Sequence, residues 1–195
     1  ILIKFLSPFI LIIIILFQDD MRRGLARVGK SPFFGGMKQA AEAEALESLA
    51  RACVSLAKKK IGALIVIERE VRLAEYFESG VPLDAKVAAE LITSVFLPTS
   101  VIHDGAIVVS RDRIVAAGVI LPLTQDPNVS RALGTRHRAA IGITEATDAV
   151  ALVVSEEEGS ISYVVGGKIK RDVDGQQLRE ALGQTFGADL VMEAA

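Results

Sequence analysis

The 195-residue chain is poor in residues that mark several protein classes: it has one cysteine, no tryptophan and 5% aromatic residues. The lone Cys53 excludes a disulfide scaffold and is best explained as a small core residue. Charge of one sign is not in excess, since 22 Lys+Arg oppose 24 Asp+Glu. This balance argues against a protein that binds nucleic acid through a net basic surface. The 51% hydrophobic residues suffice for the core of one globular domain.

One long apolar run differs from the rest of the chain. In Ile1–Phe17, 14 of 17 residues are apolar, slightly short of the roughly 20 that a membrane span needs. We interpret it as the later part of a transmembrane helix, with the missing part expected upstream. A signal peptide is one alternative, but no small-x-small cleavage site follows this run. A buried core helix is the other alternative. Cationic flanks tend to remain cytoplasmic, so the following domain is expected in the cytosol because of Arg22, Arg23, Arg27 and Lys30.

The remaining sequence predicts a juxtamembrane connector, residues 18–36, and one α/β domain, residues 37–190. The connector ends in the breaker-rich Ser31–Gly36. In the domain, helical apolar spacing alternates with short apolar runs typical of strands. At least two strand pairs have the pattern of hairpins, so we expect a central mixed β-sheet flanked by helices.

The individual elements follow from periodicity and capping residues. A helix is predicted over Met37–Lys60, a doubly buried strand over Ile61–Ile67, and a hairpin over Ala106–Ser110 and Arg113–Ile120. Two further strands are predicted over Ala149–Val154 and Ile161–Val165. Three more helices are expected to begin at cap residues: Asp84, with Pro98 as the stop; Thr135, running to Ala146; and Asp174, which forms a capping box with Gln177.

Three clusters contain residues suited to chemistry. The first is His103-Asp104-Gly105-Ala106 before a strand, where a carboxylate can project from the sheet edge. Its alternative is an ordinary Asp-Gly turn. The cluster that comes last in the chain is Ser155–Gly159, which follows a strand. Its acidic side chains suit a divalent cation beside phosphate oxygens. Its alternative is a solvated hairpin loop.

The second cluster, Gly134–Arg138, opens a predicted helix and suits phosphate. It supplies free backbone N–H groups and two guanidinium groups. Cations beside a helix N-terminus are unfavourable, so two of them favour an anion site over a merely solvated first turn. Arg136 and Arg138 diverge by about 200° on a helix and cannot both grip one phosphate from regular positions.

The motifs DGA (Asp104–Ala106), GTRHRAA (Gly134–Ala140) and SEE (Ser155–Glu157) together resemble the diadenylate cyclase (DAC) domain. The resemblance spans residues 30–170. The apolar start is similar to the membrane-bound CdaA type of that family, which has three transmembrane helices. This chain would begin within the third of them.

The resemblance implies that two ATP molecules are condensed to cyclic di-AMP by two domains meeting face to face, with Mg²⁺, Mn²⁺ or Co²⁺. Asp104 would activate the 3′-hydroxyl and help to bind the metal, with His103 as a further possible ligand. The catalytic set would also include Arg136. The implied nucleotide-binding set is Gly105, Ala106, Leu121, Gly134, Thr135, Arg136, His137, Arg138, Ser155 and Glu157. Ile120 stands where relatives often have an aromatic residue, so base stacking is expected to be weaker.

The resemblance also implies partners, namely the membrane, a YbbR-domain regulator and phosphoglucosamine mutase. No nucleic-acid partner is expected. Two other functions stay open from the residues alone. A catalytically silent, membrane-anchored nucleotide-binding sensor would keep the pocket without turnover, whereas a membrane-anchored scaffold would have no nucleotide site.

Overall fold

Seven strands form one sheet in the computed structural model, which describes residues 32–130 and 133–187. Its order is β2-β4-β3-β1-β5-β6-β7. Strands β1 and β3 are parallel, and the other neighbouring pairs are antiparallel. The predicted mixed sheet is therefore confirmed. The strands are β1 (Ala63–Glu68), β2 (Val81–Lys86), β3 (Ala106–Ser110), β4 (Arg113–Val119), β5 (Val150–Val154), β6 (Ile161–Val165) and β7 (Lys168–Lys170).

Four α-helices accompany the sheet in the described part of the chain: α1 (Pro32–Lys58), α2 (Ala89–Val95), α3 (Thr135–Ala146) and α4 (Gly175–Phe186). A short 3-10 helix covers Ala74–Ser79. Two apolar clusters fill the space between these elements. Strand β1 supplies both, because Ile65 and Ile67 belong to one cluster and Leu64 and Val66 to the other. The continuous apolar run thus forms a strand buried on both faces, as predicted.

Helix α1, from residue 40 onward, contributes its predicted apolar face to the core. Leu46, Leu49, Cys53 and Leu56 are all buried. Burial raises the pKa of the Cys53 thiol to about 12, so the thiolate form is suppressed. Helix α4 begins with the predicted capping box, in which the Asp174 side chain accepts a hydrogen bond from the Gln177 backbone N–H at 2.8 Å.

Several local predictions were wrong, and each has a physical reason. Helix α1 begins at Pro32, so the last residues assigned to the connector are helical; proline is tolerated in a first helical turn. Asp84 caps no helix but lies in edge strand β2 with a positive φ of 47°, where it pairs with Arg113. Helix α2 starts at Ala89 instead.

The start of α3 also differs from the prediction. Thr135 is its first residue, and the N-cap is Gly134, with no side-chain hydrogen bond. Strands β2 and β7 were not predicted. Both are edge strands: β2 contains Pro82 and Asp84, residue types that are depleted in strands, and β7, with the sequence KIK, is only three residues long.

The predicted transmembrane segment, residues 1–17, and most of the connector lie outside the described residues. Among the described residues, no helix has the length and apolar character needed to cross a membrane. The division into three segments stays a prediction.

Candidate active site

The ends of several elements meet at one end of the sheet. Because β1 is parallel to β3 and antiparallel to β5, the starts of β1 and β3 lie beside the end of β5, where Ala63 pairs with Val154. The end of β4 is there too, since Val119 pairs with Ala106. Two cavities open at this end, and Thr135 and Arg136 at the start of α3 line both. The topology thus brings together three motifs that are far apart in sequence.

The smaller cavity, about 130 Å³, is largely apolar. Asp104, Gly105 and Leu121, three of the predicted site residues, line it together with Thr135 and Arg136. Asp104 is exposed, and its carboxylate forms no hydrogen bond with the described residues. We call this space the apolar cavity; its other walls are Leu64, Val119, Ile120, Leu123 and Ala139.

Gly105 allows β3 to begin against β4 at this point. Its φ of +115° is a conformation that favours glycine. A Cβ there would lie 2.7 Å from the backbone carbon of Gly118 and 2.9 Å from the carbonyl oxygen of Val119. Only a residue without a side chain fits, so the fold requires the glycine of the DGA motif.

The larger cavity, about 230 Å³, is strongly charged. We call it the charged cavity. The predicted site residues in its wall are Gly134, Thr135, Arg136, His137, Ser155 and Glu157. Three further charged side chains, which are not in the predicted set, line the same cavity: Glu156, Glu158 and Arg171.

Arg136 stands between the two cavities in a confined setting. Its side chain is 22% exposed, and Nη1 donates to Glu156 Oε2 at 2.9 Å. Its Nε is buried without a hydrogen-bond partner. A Cβ on Gly62 would lie 2.6 Å from Nη1 and 2.7 Å from Oε2, so this glycine provides the space for the ion pair. One donor of this guanidinium therefore has no partner among the described residues.

His137 is the buried member of the motif, at 7% exposure, and its Nε2 also lacks a partner. Burial lowers the pKa of this imidazole, and the nearby positive charge of Arg171 lowers it further, while Glu158 acts in the opposite direction. His137 is consequently neutral at neutral pH. It presents a polar ring nitrogen without adding charge.

The turn after β5 has a fixed shape. The Ser155 N–H donates to the Ser160 carbonyl oxygen at 2.9 Å, and Ser155 Oγ accepts from the Glu158 N–H at 3.2 Å. Arg171 Nη2 pairs with Glu158 Oε2 at 2.8 Å, and Lys60 Nζ donates to the Glu157 carbonyl oxygen at 3.2 Å. These bonds fix the shape of the turn. Its acidic residues Glu156, Glu157 and Glu158 are exposed, and the Arg136–Glu156 pair joins the turn to the start of α3.

Three predicted site residues do not line either cavity. Ala106 is fully buried at the start of β3. Arg138 is half-buried, and its carbonyl oxygen accepts from the Thr124 N–H at 3.0 Å. His103 Nδ1 lies 2.6 Å from the Ser100 carbonyl oxygen. Their roles toward a nucleotide or metal stay predictions.

Sequence reasoning missed Gly62, Glu158 and Arg171. Gly62 lies before β1, outside every recognised motif. Arg171 comes from beyond the unpredicted β7, so no local signal placed it in the cavity. For Glu158, its position in the acidic run was visible, but its partner was not.

Comparison with known families agrees with this geometry. A family model for the DAC domain, described as the DisA bacterial checkpoint controller nucleotide-binding domain, matches residues 50–169. The chain belongs to this family.

Among curated proteins, the chain is similar to the cyclic di-AMP synthase CdaA of Bacillus subtilis. The two are 41% identical over 179 residues, which cover 90% of this chain and 66% of the relative. A diadenylate cyclase of Listeria monocytogenes is 41% identical over 175 residues, covering 88% of this chain and 64% of the relative. The chain thus spans a little under two thirds of the length of these relatives.

Two solved structures share the fold. A double mutant of DacA from Staphylococcus aureus superposes with a TM-score of 0.71 at 42% identity, covering 73% of this chain and 95% of that one. A hypothetical membrane spanning protein from Bacillus cereus gives 0.65 at 39% identity, covering 82% and 79% respectively. The α/β architecture with its central mixed sheet is therefore that of the DAC fold.

Proposed function

We propose that the chain is a diadenylate cyclase, which condenses two ATP molecules into cyclic di-AMP and releases two pyrophosphates. One observation carries the proposal: an apolar cavity bearing Asp104 and a charged cavity share Thr135 and Arg136 as wall residues. The ribose of an ATP molecule must lie beside the base, and its triphosphate must lie among charged and hydrogen-bonding groups. The two cavities therefore have to adjoin. The curated relatives that match most of this chain have names consistent with the activity.

ATP fits this pair of cavities in one direction. The adenine and ribose occupy the apolar cavity, beside Leu121, Ile120 and Leu123. The triphosphate then extends past Thr135 and Arg136 into the charged cavity. Backbone N–H groups at the start of α3 and the guanidinium of Arg136 stabilise its charge.

The reaction needs a base near the ribose and an activated phosphate. The 3′-oxygen of one ATP attacks the α-phosphorus of the other, and the bond from that phosphorus to the bridging oxygen of pyrophosphate breaks. The hydroxyl proton passes to the Asp104 carboxylate, which is exposed and free of internal hydrogen bonds. A carboxylate alone is a weak base for a sugar hydroxyl, so it requires help in acidifying that group.

One domain holds only half of this reaction centre. One domain contributes one Asp104 and one charged cavity, which serve the formation of one phosphodiester bond. The cyclic product has two such bonds. Two domains facing each other supply two acids and two triphosphates, so a homodimer is the catalytic form. The exposed position of Asp104 suits contact across such an interface.

Electrostatics favours a divalent cation, Mg²⁺, Mn²⁺ or Co²⁺. The two guanidinium groups of the charged cavity, Arg136 and Arg171, are already paired with Glu156 and Glu158. With Glu157 also in the wall, the cavity carries no net positive charge to offset the negative charge of a triphosphate. No described group of three or more His, Cys, Asp or Glu side chains is placed to hold a metal ion, and Mg²⁺ commonly needs only one or two carboxylates plus phosphates. The ion would neutralise phosphate charge and acidify the hydroxyl, with Asp104 and His103 as its protein ligands.

The test is product formation by the full chain incubated with ATP and Mn²⁺, with cyclic di-AMP measured by chromatography. Asp104→Asn is expected to lower the rate by about 100-fold or more, because it removes the base. Asp148→Asn serves as the matched control, since Asp148 binds backbone N–H groups at the other end of the sheet. Specific activity is expected to fall on dilution. Nucleotide binding without product would favour a silent sensor instead.

The location and the regulators are further parts of the proposal. The apolar residues 1–17 support a membrane anchor, with the catalytic domain on the cytoplasmic side. Co-purification of the full chain with a YbbR-domain protein or phosphoglucosamine mutase would test those two partners.

A further inference from the structure

Arg171 lines the charged cavity although it belongs to none of the three motifs. It follows the short edge strand β7, and its side chain is 43% exposed. Nη2 donates to Glu158 Oε2 at 2.8 Å. Among the described residues, no other nitrogen of this guanidinium forms a hydrogen bond. A guanidinium has five N–H donors, so Arg171 retains capacity for an anion.

The wall residues give the site a direction. Asp104 and Leu121 line only the apolar cavity, and Arg171 lines only the charged one. Thr135 and Arg136 line both cavities. With the nucleoside in the apolar cavity, the α-phosphate lies near the shared residues. Arg171 is then at the distal end, beside the β- and γ-phosphates.

A second observation points to a ligand at this distal end. His137 is 93% buried, being 7% exposed, in the wall of the same cavity, and its Nε2 has no partner. The charge of Arg171 influences this imidazole, so the two groups are close enough to interact. A buried polar atom without a partner costs free energy unless a ligand or water satisfies it.

We infer that Arg171 binds the β- and γ-phosphates of the substrate, and hence the pyrophosphate that leaves, as the distal partner of Arg136. This assignment rests on the proposed function. It gives Arg171 a charge-assisted contact that strengthens as the bond to the leaving pyrophosphate breaks.

A purely structural role for Arg171 makes a different prediction. In that case the residue only braces the turn after β5 through Glu158, which also accepts from Ser160 Oγ at 3.2 Å. Loss of Arg171 and loss of the Glu158 charge would then have the same effect. If Arg171 instead binds phosphate, Glu158 competes with the ligand for it, and the two substitutions have opposite or unequal effects.

The experiment measures binding of inorganic pyrophosphate and of AMP to the full chain by isothermal titration calorimetry with Mg²⁺. Four variants are compared: Arg171→Met, Arg171→Lys, Glu158→Gln and Arg113→Met. Arg113 is the matched control, because it is 45% exposed in an ion pair with Asp84 and lines neither cavity. Arg113→Met changes the net charge by the same amount as Arg171→Met.

We expect Arg171→Met to weaken pyrophosphate binding about tenfold or more, with AMP binding changed less than about twofold. Arg171→Lys retains the charge and should lose less. Glu158→Gln should leave pyrophosphate binding unchanged or tighter, and Arg113→Met should leave both ligands unaffected.

The inference is overturned if Arg171→Met binds pyrophosphate normally, if Glu158→Gln weakens it equally, or if the unsubstituted chain binds none. If Arg171→Met does not fold, the comparison of Arg171→Lys with Glu158→Gln decides. These measurements need no turnover. A chain that binds pyrophosphate through Arg171 but forms no cyclic di-AMP would therefore refute the proposed activity alone.

Discussion

The two ends of the sheet use their charged side chains in opposite ways. At the end away from the cavities, Asp148 accepts from the backbone N–H groups of Glu70 and Val71 at 3.1 and 3.0 Å. At the cavity end, Asp104 accepts no hydrogen bond from the described residues, while Arg136 Nε and His137 Nε2 are buried without partners.

Glu68 strengthens the contrast. Its carboxylate accepts from the Leu73 N–H at 2.9 Å and from Ser110 Oγ at 2.7 Å, so the far end of β1 is satisfied within the fold. Polar groups there stabilise the chain itself. Polar groups at the cavity end keep capacity for a ligand, which is how a binding site differs from a structural network built of the same residue types.

The largest expected effect concerns the backbone at the cavity end. Gly105→Ala places a Cβ against Gly118 and Val119 at a φ of +115°, and we expect a loss of about 3 kcal/mol or more in the free energy of unfolding. Gly134→Ala is the control, since nothing lies within 4 Å of its Cβ position. Urea denaturation measures both. Equal stability of the two variants would show that the start of β3 is not constrained as described.

A second prediction compares the two aspartates directly. Asp148→Ala removes the acceptor of two backbone N–H groups and should cost about 1–2 kcal/mol of folding stability. Asp104→Ala should change stability by less than about 0.5 kcal/mol, since its carboxylate is exposed and unbonded. Thermal unfolding and calorimetry provide the values. If Asp104→Ala proved the more destabilising, the contrast between the two ends would be wrong.

Gly62→Ala tests the site without altering the backbone conformation. The added Cβ meets the movable side chains of Arg136 and Glu156, so the guanidinium must shift. We expect ATP binding to weaken about tenfold, or ~1.4 kcal/mol, with a smaller change in stability. Isothermal titration with ATP and Mg²⁺ provides the measurement. Unchanged affinity would mean that the position of Arg136 does not matter for the nucleotide.

The smallest effect is on pH dependence. The pKa of His137 is lowered from 6.5 in the folded state, mainly by burial, so the unfolded chain takes up the proton first. The contribution of His137 is fully present above pH 6.5 and is lost as the pH falls toward the lowered folded-state pKa. His137→Gln should flatten the decline in stability as the pH falls below 6.5. An unchanged slope in urea denaturation would contradict this.

Residues with strong local signals were predicted well. The continuous apolar run of β1, the hairpin of β3 and β4 and the Asp174 capping box are each determined by neighbouring residues in sequence. Edge strand β2 was not, because its Val81–Lys86 segment gains its conformation from pairing with β4. Asp84 resembled a helix cap for the same reason: its actual partner, Arg113, is distant in sequence.

The sequence by itself determined the alternation of helices and strands, the apolar core and the three motifs of the DAC family. These properties follow from residue spacing and side-chain chemistry, which are local. Only the tertiary structure decided that Asp104 shares a cavity with Arg136, that Gly62 gives the Arg136–Glu156 pair its space, and that Arg171 lines the charged cavity. Those relations depend on strand order and register, which bring distant residues together after the chain has folded.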